Sequence, residues 1–226
     1  MFLEEAIWIR KVLESQFLKP GQTVLDVGSS TEEFRCLRRP YIDYYIFRPL
    51  RKLGIQIIHM DKQKEEGVDI ICDLSTASDI TSAVHVKSVD VVLCTNLLEH
   101  VEDRGAVVEK LKKLVKPEGV LVLTVPNFYK YHPDPIDTMF RPTSDELVSL
   151  FEGKDFEKVT SETIEIMAEP VIQKARLYWI YRGINFISRI LGLKFRLEHV
   201  TIIRNKVAAA VLKKTSVITS LKIDGK

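Results

Sequence analysis

Three carboxylates stand at the ends of apolar runs in the first third of the chain. Asp26 closes the run TVLDV, Asp61 follows IQIIHM, and Asp73 follows VDIIC. Directly after the first run the chain reaches Gly28, a residue that lets the backbone turn and approach a ligand closely. Ionised carboxylates accept hydrogen bonds and attract cations. In a parallel sheet the ends of such strands lie where ligands bind, so these carboxylates are candidate ligand contacts.

The turn after the first run argues against a dinucleotide site. Such a site uses G-x-G-x-x-G to approach a pyrophosphate, with an acid about 20 residues further on. Here Gly28 is followed by Ser29 and Ser30, and Asp61 comes 33 residues after the glycine. Ser30 with Glu33 also matches a capping box, so we expect a helix to begin there with its free N–H groups toward the ligand.

Two later segments supply candidate groups for chemistry. Asn96, Leu97 and His100 follow the run VDVVLC, and a loop with four prolines follows VLVLTV. Because prolines fix the backbone angle φ, polar groups on such a loop can be held in place. The loop's candidate residues are Asn127, Tyr131, His132, Asp134, Asp137 and Arg141.

A histidine is suited to remove a proton from a hydroxyl group, because its unperturbed pKa is near 6.5. His132 is the first candidate for this general base, with Asp134 or Asp137 as the carboxylate that orients it. His100 is the alternative base. Four loop residues are predicted to contact the substrate: Asn127, Tyr131, Asp137 and Arg141. The spacing predicts no metal cluster.

For several neighbouring residues, a structural role is at least as well supported as a role in binding or catalysis. Glu99 suits the start of a helix, where an acid is stabilised by the helix dipole, as well as it suits catalysis. His59 is interpreted as a core histidine with its hydrogen bonds satisfied. The three arginines of the segment after the turn are predicted to be solvated, with contact to an acidic acceptor as the alternative; they are Arg35, Arg38 and Arg39.

The elements that must position these residues alternate between strand and helix. Short apolar runs at 23–27, 55–60, 68–72, 89–94 and 120–125 are typical of a parallel sheet covered on both faces. Amphipathic helices are predicted at 3–18 and within 101–119. Two further strand candidates lie near 157–167 and 206–213. The order predicts a doubly wound, Rossmann-like α/β sheet.

Composition is that of an ordinary globular protein. The chain has 226 residues, 46% hydrophobic and 28% charged, which suits one domain. Three cysteines without C-x-x-C spacing argue against a disulfide framework or a zinc site, and no signal peptide or membrane span is expected. These features favour a cytoplasmic protein.

The ordered motifs VLDVGSS, MD at 60–61, CDL at 72–74 and VDVVLCTNLLEHVED resemble the class I S-adenosylmethionine-dependent methyltransferases, in particular their small-molecule branch with an L-E-H-V signature. The resemblance covers about residues 20–150. It implies methyl transfer from S-adenosylmethionine to a small molecule, sugar or glycolipid, as in polysaccharide biosynthesis, and an antiparallel strand at one edge of the sheet. The cofactor residues that it implies are Asp26, Gly28, Ser29, Ser30, Asp61, Asp73, Leu74, Asn96 and Leu97. A non-catalytic, cofactor-binding relative is the alternative.

The basic charge is concentrated near the end of the chain. Residues 171–226 hold 12 Lys and Arg against two Asp and Glu, whereas residues 1–170 carry a net charge of −8. We predict a basic, aromatic helical insertion at about 170–198 within a single domain spanning 1–226. A helix pair that covers the sheet or forms a homodimer face is favoured for it, with peripheral membrane contact through 171–197 as the alternative. No nucleic acid partner is expected.

Overall fold

The computed structural model describes residues 1–15, 18–76, 89–134, 136–151, 153, 155–166 and 205–216. Its α-helices are α1 (Leu3–Ser15), α2 (Pro40–Ile42), α3 (Arg48–Lys52), α4 (Arg104–Leu114) and α5 (Ser144–Ser149). The strands are β1 (Thr23–Val27), β2 (Gln56–Asp61), β3 (Ile70–Ile71), β4 (Val89–Thr95), β5 (Val115–Phe128), β6 (Phe156–Ile166) and β7 (Asn205–Lys214).

The strands form one seven-stranded sheet in the order β3-β2-β1-β4-β5-β7-β6. The first five are parallel, and β7 runs antiparallel to both β5 and β6. This confirms the predicted doubly wound α/β fold with an antiparallel strand at one edge. The strand order reverses between β1 and β4, and in open sheets of this kind the crevice at such a reversal is where ligands bind.

Apolar side chains cover both faces of the sheet and form two clusters of buried residues. One cluster includes Leu25, Leu98 and Leu111, and the other includes Ile9, Val24 and Phe47. The apolar runs of β1, β4 and β5 are buried along almost their whole length, as expected for strands covered on both sides.

Helix α1 is amphipathic as predicted, and its buried face includes a charged residue. Leu3 is exposed, whereas Ala6, Ile9 and Val12 are buried, and so is the charged residue Glu5. Glu5 precedes Ile9 by four residues, so both lie on the same face of the helix. An acid on the apolar face of a helix requires partners inside the protein.

The long passage between β1 and β2 is helical for most of its length. A π-helical segment, Phe34–Arg38, is followed by α2, a second π-helical segment, Asp43–Phe47, and α3. The predicted capping box of Ser30 and Glu33 is wrong. Ser30 adopts a positive φ of 56°, and the side chain of Thr31 accepts the hydrogen bond from the Phe34 N–H instead.

The remaining helix starts follow the sequence signals closely. The Asp103 side chain accepts from the Ala106 N–H and begins α4. Thr143 and Glu146 form a capping box at the start of α5, each side chain accepting from the other's backbone N–H. Because each side chain satisfies a backbone donor, both starts are well defined.

The predicted helical insertion at about 170–198 lies outside the described residues. Among the residues that are described, no helix combines the length and the apolar character needed to cross a membrane.

Candidate active site

A cleft of about 750 Å³ opens at the carboxyl edge of β1, β2 and β4, and we call it the strand-edge cleft. Its volume lies within the usual range for small-molecule sites. All nine residues predicted to contact the cofactor line it: Asp26, Gly28, Ser29, Ser30, Asp61, Asp73, Leu74, Asn96 and Leu97. The three candidate catalytic residues, His100, His132 and Asp134, also line it.

The turn after β1 is held by hydrogen bonds to β2. Gly28 has a φ of 72°, which favours glycine, and a Cβ atom added there would lie 3.1 Å from Leu97 Cδ1. The N–H groups of Gly28 and Ser29 both donate to the Met60 carbonyl, at 2.8 and 3.1 Å. The backbone of this turn is therefore held against the end of β2.

The three strand-end carboxylates differ in their partners. Asp26 Oδ2 lies 3.0 Å from His59 Nδ1, so His59 is paired as well as half-buried. Asp61 accepts from the Ser30 N–H at 2.8 Å and from the Gln63 N–H at 3.1 Å. Asp73 accepts from the side chain and the backbone of Ser75, and these hydrogen bonds lower the pKa of its carboxyl. The site thus holds carboxylate oxygens at the cleft wall.

Arg35 is buried, which corrects the prediction that it is solvated. Its guanidinium group donates to the carbonyls of Ser29, Ser30 and Gly67, at 3.0, 2.6 and 2.6 Å. Arg38 is exposed as predicted and pairs with Glu33, and Arg39 is also exposed. The π-helical segment thus turns one arginine of the three inward toward the loop that forms the cleft.

Glu5 is a site residue that sequence reasoning missed. Its carboxylate accepts from the Asn96 side chain at 2.7 Å, the Thr124 hydroxyl at 2.5 Å and the Phe2 N–H at 3.0 Å. Asn96 itself has a positive φ of 51°. The signal that was available is the position of Glu5 on the apolar face of α1. This helix therefore fixes the segment after β4.

The acceptor side of the cleft is built around His132. Its Nδ1 atom lies 3.0 Å from Asp137 Oδ2, and its ring makes edge contacts with Tyr129 and His100, with ring centroids 4.8 and 5.2 Å apart. The hydrogen-bond contacts of Nδ1 are with the Lys130 carbonyl at 3.3 Å and with Arg141 Nη2 at 3.4 Å. Because the carbonyl and the nearby carboxylate only accept, Nδ1 is assigned the proton, which leaves Nε2 as an acceptor that can serve as a general base.

Of the two candidate orienting carboxylates, Asp137 is buried and lies beside His132, whereas Asp134 is exposed. Burial would raise the pKa of Asp137, but hydrogen bonds from Arg141 and from the backbone N–H groups of His132 and Met139 outweigh burial and hold that pKa below its usual range. Asp137 and Arg141 form a two-point ion pair, at 2.6 and 3.1 Å. The ionised form of Asp137 is thereby stabilised.

The four loop residues predicted to contact the substrate lie beside the strand-edge cleft and do not line it. Asn127 donates to the Pro142 carbonyl at 2.8 Å, Tyr131 has 59% of its surface exposed, and Asp137 and Arg141 form an ion pair within the loop. Their contact with the substrate stays a prediction.

Glu99, His100 and His132 come together at the acceptor end. Ligand atoms of the three lie within 4.8 Å of one another, and they are the group among the described residues that could hold a metal ion. Glu99 is fully buried, and neither of its carboxylate oxygens has a hydrogen-bond partner in the described part of the chain. Burial, with the nearby Glu5 charge, raises the pKa of Glu99 to about 8.

Comparison with known proteins agrees with this fold and site. Residues 4–163 match a family model described as "Methyltransferase domain", so the chain belongs to that family. Its fold and cleft are those of the class I S-adenosylmethionine-dependent methyltransferases.

A curated relative, the ubiquinone biosynthesis O-methyltransferase of Actinobacillus pleuropneumoniae serotype 5b, is 34% identical over 119 residues, which are 51% of this chain and 42% of that protein. The chain spans less than half the length of the curated relatives that it matches.

Two solved structures show the same fold at low identity. The Burkholderia thailandensis 1,6-didemethyltoxoflavin-N1-methyltransferase, solved with S-adenosylhomocysteine, has a TM-score of 0.52 and 16% identity, covering 94% of this chain and 80% of that one. A 4+2 cyclase has a TM-score of 0.51 and 14% identity, covering 92% and 80%. Because one of these proteins is named for a cyclisation, the fold alone does not determine the reaction.

The residues of the strand-edge cleft fit S-adenosylmethionine. That molecule carries a sulfonium, an ammonium, a ribose diol and an adenine amine, all of which attract or donate to carboxylates. Asp26, Asp61 and Asp73 supply such acceptors, and Gly28 allows close approach. The cleft is also large enough for a molecule of this size together with a small acceptor.

Proposed function

We propose that this protein transfers the methyl group of S-adenosylmethionine to a hydroxyl oxygen of a small-molecule, sugar or glycolipid acceptor. The observation that carries the proposal is that one cleft is lined by the strand-end carboxylates and also by His132 with its buried partner Asp137 nearby. The name of the curated relative, an O-methyltransferase, supports oxygen as the methylated atom.

S-adenosylmethionine supplies a methyl group on a positively charged sulfur, which a nucleophile displaces directly. The chain's own residues align the two reactants and exclude water. Asp26, Asp61 and Asp73 hold the cofactor side by accepting hydrogen bonds. On the acceptor side, His132 Nε2 accepts the hydroxyl proton as the oxygen attacks, and Asp137 stabilises the imidazolium that forms.

Incubation of the purified protein with methyl-labelled S-adenosylmethionine and an extract of the source cells tests the proposal. We expect one labelled small molecule, and its mass spectrum identifies the acceptor and the methylated atom. An extract that yields no labelled product, although the protein binds the cofactor, would support the non-catalytic alternative. Label on a nitrogen or carbon atom would contradict the hydroxyl acceptor.

Calorimetry should show that S-adenosylmethionine and S-adenosylhomocysteine bind in the micromolar range and that NAD does not bind. The carboxylates of the cleft repel the pyrophosphate of NAD, and the turn has the single glycine Gly28 instead of a phosphate-binding series. Binding of NAD without binding of S-adenosylmethionine would refute the proposed cofactor.

Asp61→Ala should weaken S-adenosylhomocysteine binding by about 1.5–3 kcal/mol, the range for a lost hydrogen bond to a charged group. Asp61 also accepts from the Ser30 N–H, so Asp61→Asn, which retains a carbonyl acceptor for that N–H, separates loss of the turn from loss of ligand contact. Asp155→Ala, at an exposed residue outside the cleft, is the matched control. Unchanged affinity in Asp61→Ala would remove this residue from the site.

Five predictions about domain organisation, location, biological role and assembly remain predictions. They are a single domain over residues 1–226, a cytoplasmic location, a role in polysaccharide biosynthesis, a homodimer, and peripheral membrane contact through residues 171–197. The residues on which the last two depend lie outside the described part of the chain.

A further inference from the structure

Glu5 is a buried acid that three segments of the chain surround with hydrogen-bond donors. It lies on α1 with none of its surface exposed. One carboxylate oxygen accepts from both the Asn96 side chain and the Thr124 hydroxyl, and the other accepts from the Phe2 N–H. Burying a carboxylate is costly unless its oxygens are hydrogen-bonded. The three donors meet that requirement, and the carboxylate in return holds each donor in one orientation.

The side-chain amide of Asn96 is one of these donors. A carboxylate oxygen accepts hydrogen bonds, so the Asn96 atom that lies 2.7 Å from Glu5 is the amide nitrogen. The reverse orientation of the amide would bring two oxygen atoms together. Within the described ranges, no protein donor contacts the Asn96 side-chain oxygen. That oxygen is therefore the polar atom of the side chain that a ligand can use.

Asn96 lies where the two sides of the strand-edge cleft meet. It is half-buried and lines the cleft. It follows β4, which lies between β1 and β5 in the sheet. The turn of the cofactor side follows β1, and β5 leads into the loop that carries His132. A hydrogen-bond acceptor on Asn96 is thus near both reactants of a transfer reaction.

Three hydrogen bonds form a closed triangle around Asn96. Its N–H donates to the Thr124 carbonyl at 2.8 Å, its side chain donates to Glu5, and the Thr124 hydroxyl donates to the same Glu5 oxygen. This triangle holds Asn96 at a φ of 51°, which few residues other than glycine adopt. Such backbone conformations persist where the surrounding contacts over-determine them, and they cluster at functional sites.

We propose that Glu5 is a positioning residue of the methyl-transfer site, an assignment that rests on the function proposed above. Glu5 itself does not line the cleft. By binding the nitrogen of Asn96, it presents the side-chain oxygen to the cleft as a fixed acceptor for a hydrogen-bond donor of the bound reactants. This donor is a hydroxyl of the acceptor molecule or the ammonium group of the cofactor. Because Glu5 fixes the amide before a ligand arrives, no reorganisation is needed during the reaction.

An exchange of the two side-chain types tests the pair. Asn96→Asp alone brings two buried carboxylates together, so turnover should fall by about 100-fold, the effect of a misplaced reacting group. Adding Glu5→Gln to Asn96→Asp should raise turnover again by about 10-fold or more, because the new amide donates to one carboxylate oxygen and leaves the other for the ligand. Glu5→Gln alone should lower turnover, since one amide oxygen cannot accept from both the Asn96 nitrogen and the Phe2 N–H.

Turnover is measured per folded molecule, as label transferred from methyl-labelled S-adenosylmethionine to the acceptor in the cell extract. Glu4→Gln, the same change at the neighbouring residue of α1 and outside the cleft, is the matched control and should keep wild-type turnover. Calorimetry with S-adenosylhomocysteine assigns the donor. An affinity that falls together with turnover in Glu5→Gln identifies the ammonium group of the cofactor, and an unchanged affinity identifies the acceptor molecule.

Each further outcome separates the possible roles of Glu5. A double variant that is no more active than Asn96→Asp overturns the assignment. So does a Glu5→Gln variant that is less stable but keeps its turnover per folded molecule, since that result shows a purely structural role. A wild-type protein that binds S-adenosylhomocysteine but transfers no methyl group would instead refute the proposed function. If the Glu5 variants do not fold, a crystal structure of the wild-type protein with S-adenosylhomocysteine and the acceptor decides: an Asn96 side-chain oxygen more than about 3.5 Å from every ligand donor contradicts the assignment.

Discussion

His132→Ala should lower turnover by about 10²–10⁴, the usual contribution of a general base, while leaving S-adenosylhomocysteine affinity nearly unchanged. The structure gives the physical reason. His132 Nδ1 lies 3.3 Å from the Lys130 carbonyl and 3.0 Å from Asp137 Oδ2, so the opposite nitrogen is the one that can accept the hydroxyl proton, and the turn that holds the cofactor side lies on different elements. Turnover with the acceptor identified from the extract, and calorimetry with S-adenosylhomocysteine, measure the two effects.

Three comparisons distinguish a base from a structural residue. Added imidazole should restore part of the activity of His132→Ala, because it can replace a missing base and cannot replace a packing contact. Asp137→Asn should lower turnover more than Asp134→Asn, and the opposite order would make Asp134 the orienting carboxylate. Wild-type activity that disappears with a chelator and returns with a divalent ion would show that Glu99, His100 and His132 act as metal ligands instead.

The cofactor side of the site could be predicted from the sequence because it depends on strand ends. Apolar runs placed β1 at the correct residues, and the carboxyl ends of parallel strands meet at one edge of the sheet. Asp26, Asp61 and Asp73 therefore had to lie near one another once the strands were recognised. Their position needed no knowledge of side-chain packing.

The residues that were missed depend on contacts between distant parts of the chain. Glu5 meets Asn96 and Thr124, which are 91 and 119 residues away, and no local pattern specifies such partners. Arg35 was interpreted as solvated because arginine usually is, and its burial follows from the π-helical segment and from the Gly67 carbonyl 32 residues later. Local propensity thus described the elements, and tertiary hydrogen bonds determined the site.

The choice between Asp134 and Asp137 shows the same limit on a shorter scale. Both are near His132 in the sequence, and their residue type is identical. Only the folded loop shows that Arg141 pairs with Asp137, which is buried, whereas Asp134 is exposed. Prolines restrict the backbone of this loop, but they do not determine the direction in which each of its side chains points.

Glu99 should make the protein less stable as the pH rises from about 4.5 to about 8. Burial first, and then the charge of Glu5, raise the pKa of Glu99 in the folded protein to about 8 from its ordinary value of 4.5. Between these values the unfolded chain has released the proton that the folded chain retains, so the free energy of unfolding falls with increasing pH. The full effect is at most about 5 kcal/mol, at about 1.36 kcal/mol for each pKa unit.

Glu99→Gln should remove this pH dependence, because glutamine is neutral at every pH and has nearly the same shape. Urea unfolding should show the variant to be more stable than the wild-type protein at pH 8. The difference in free energy of unfolding should be several times larger at pH 8 than at pH 5. Glu102→Gln, at an exposed residue three positions away, is the matched control and should follow the wild-type curve. Parallel curves for Glu99→Gln and the wild-type protein would mean that Glu99 is ionised when folded, and that its carboxylate has found a cation or a metal ion at the acceptor end of the cleft.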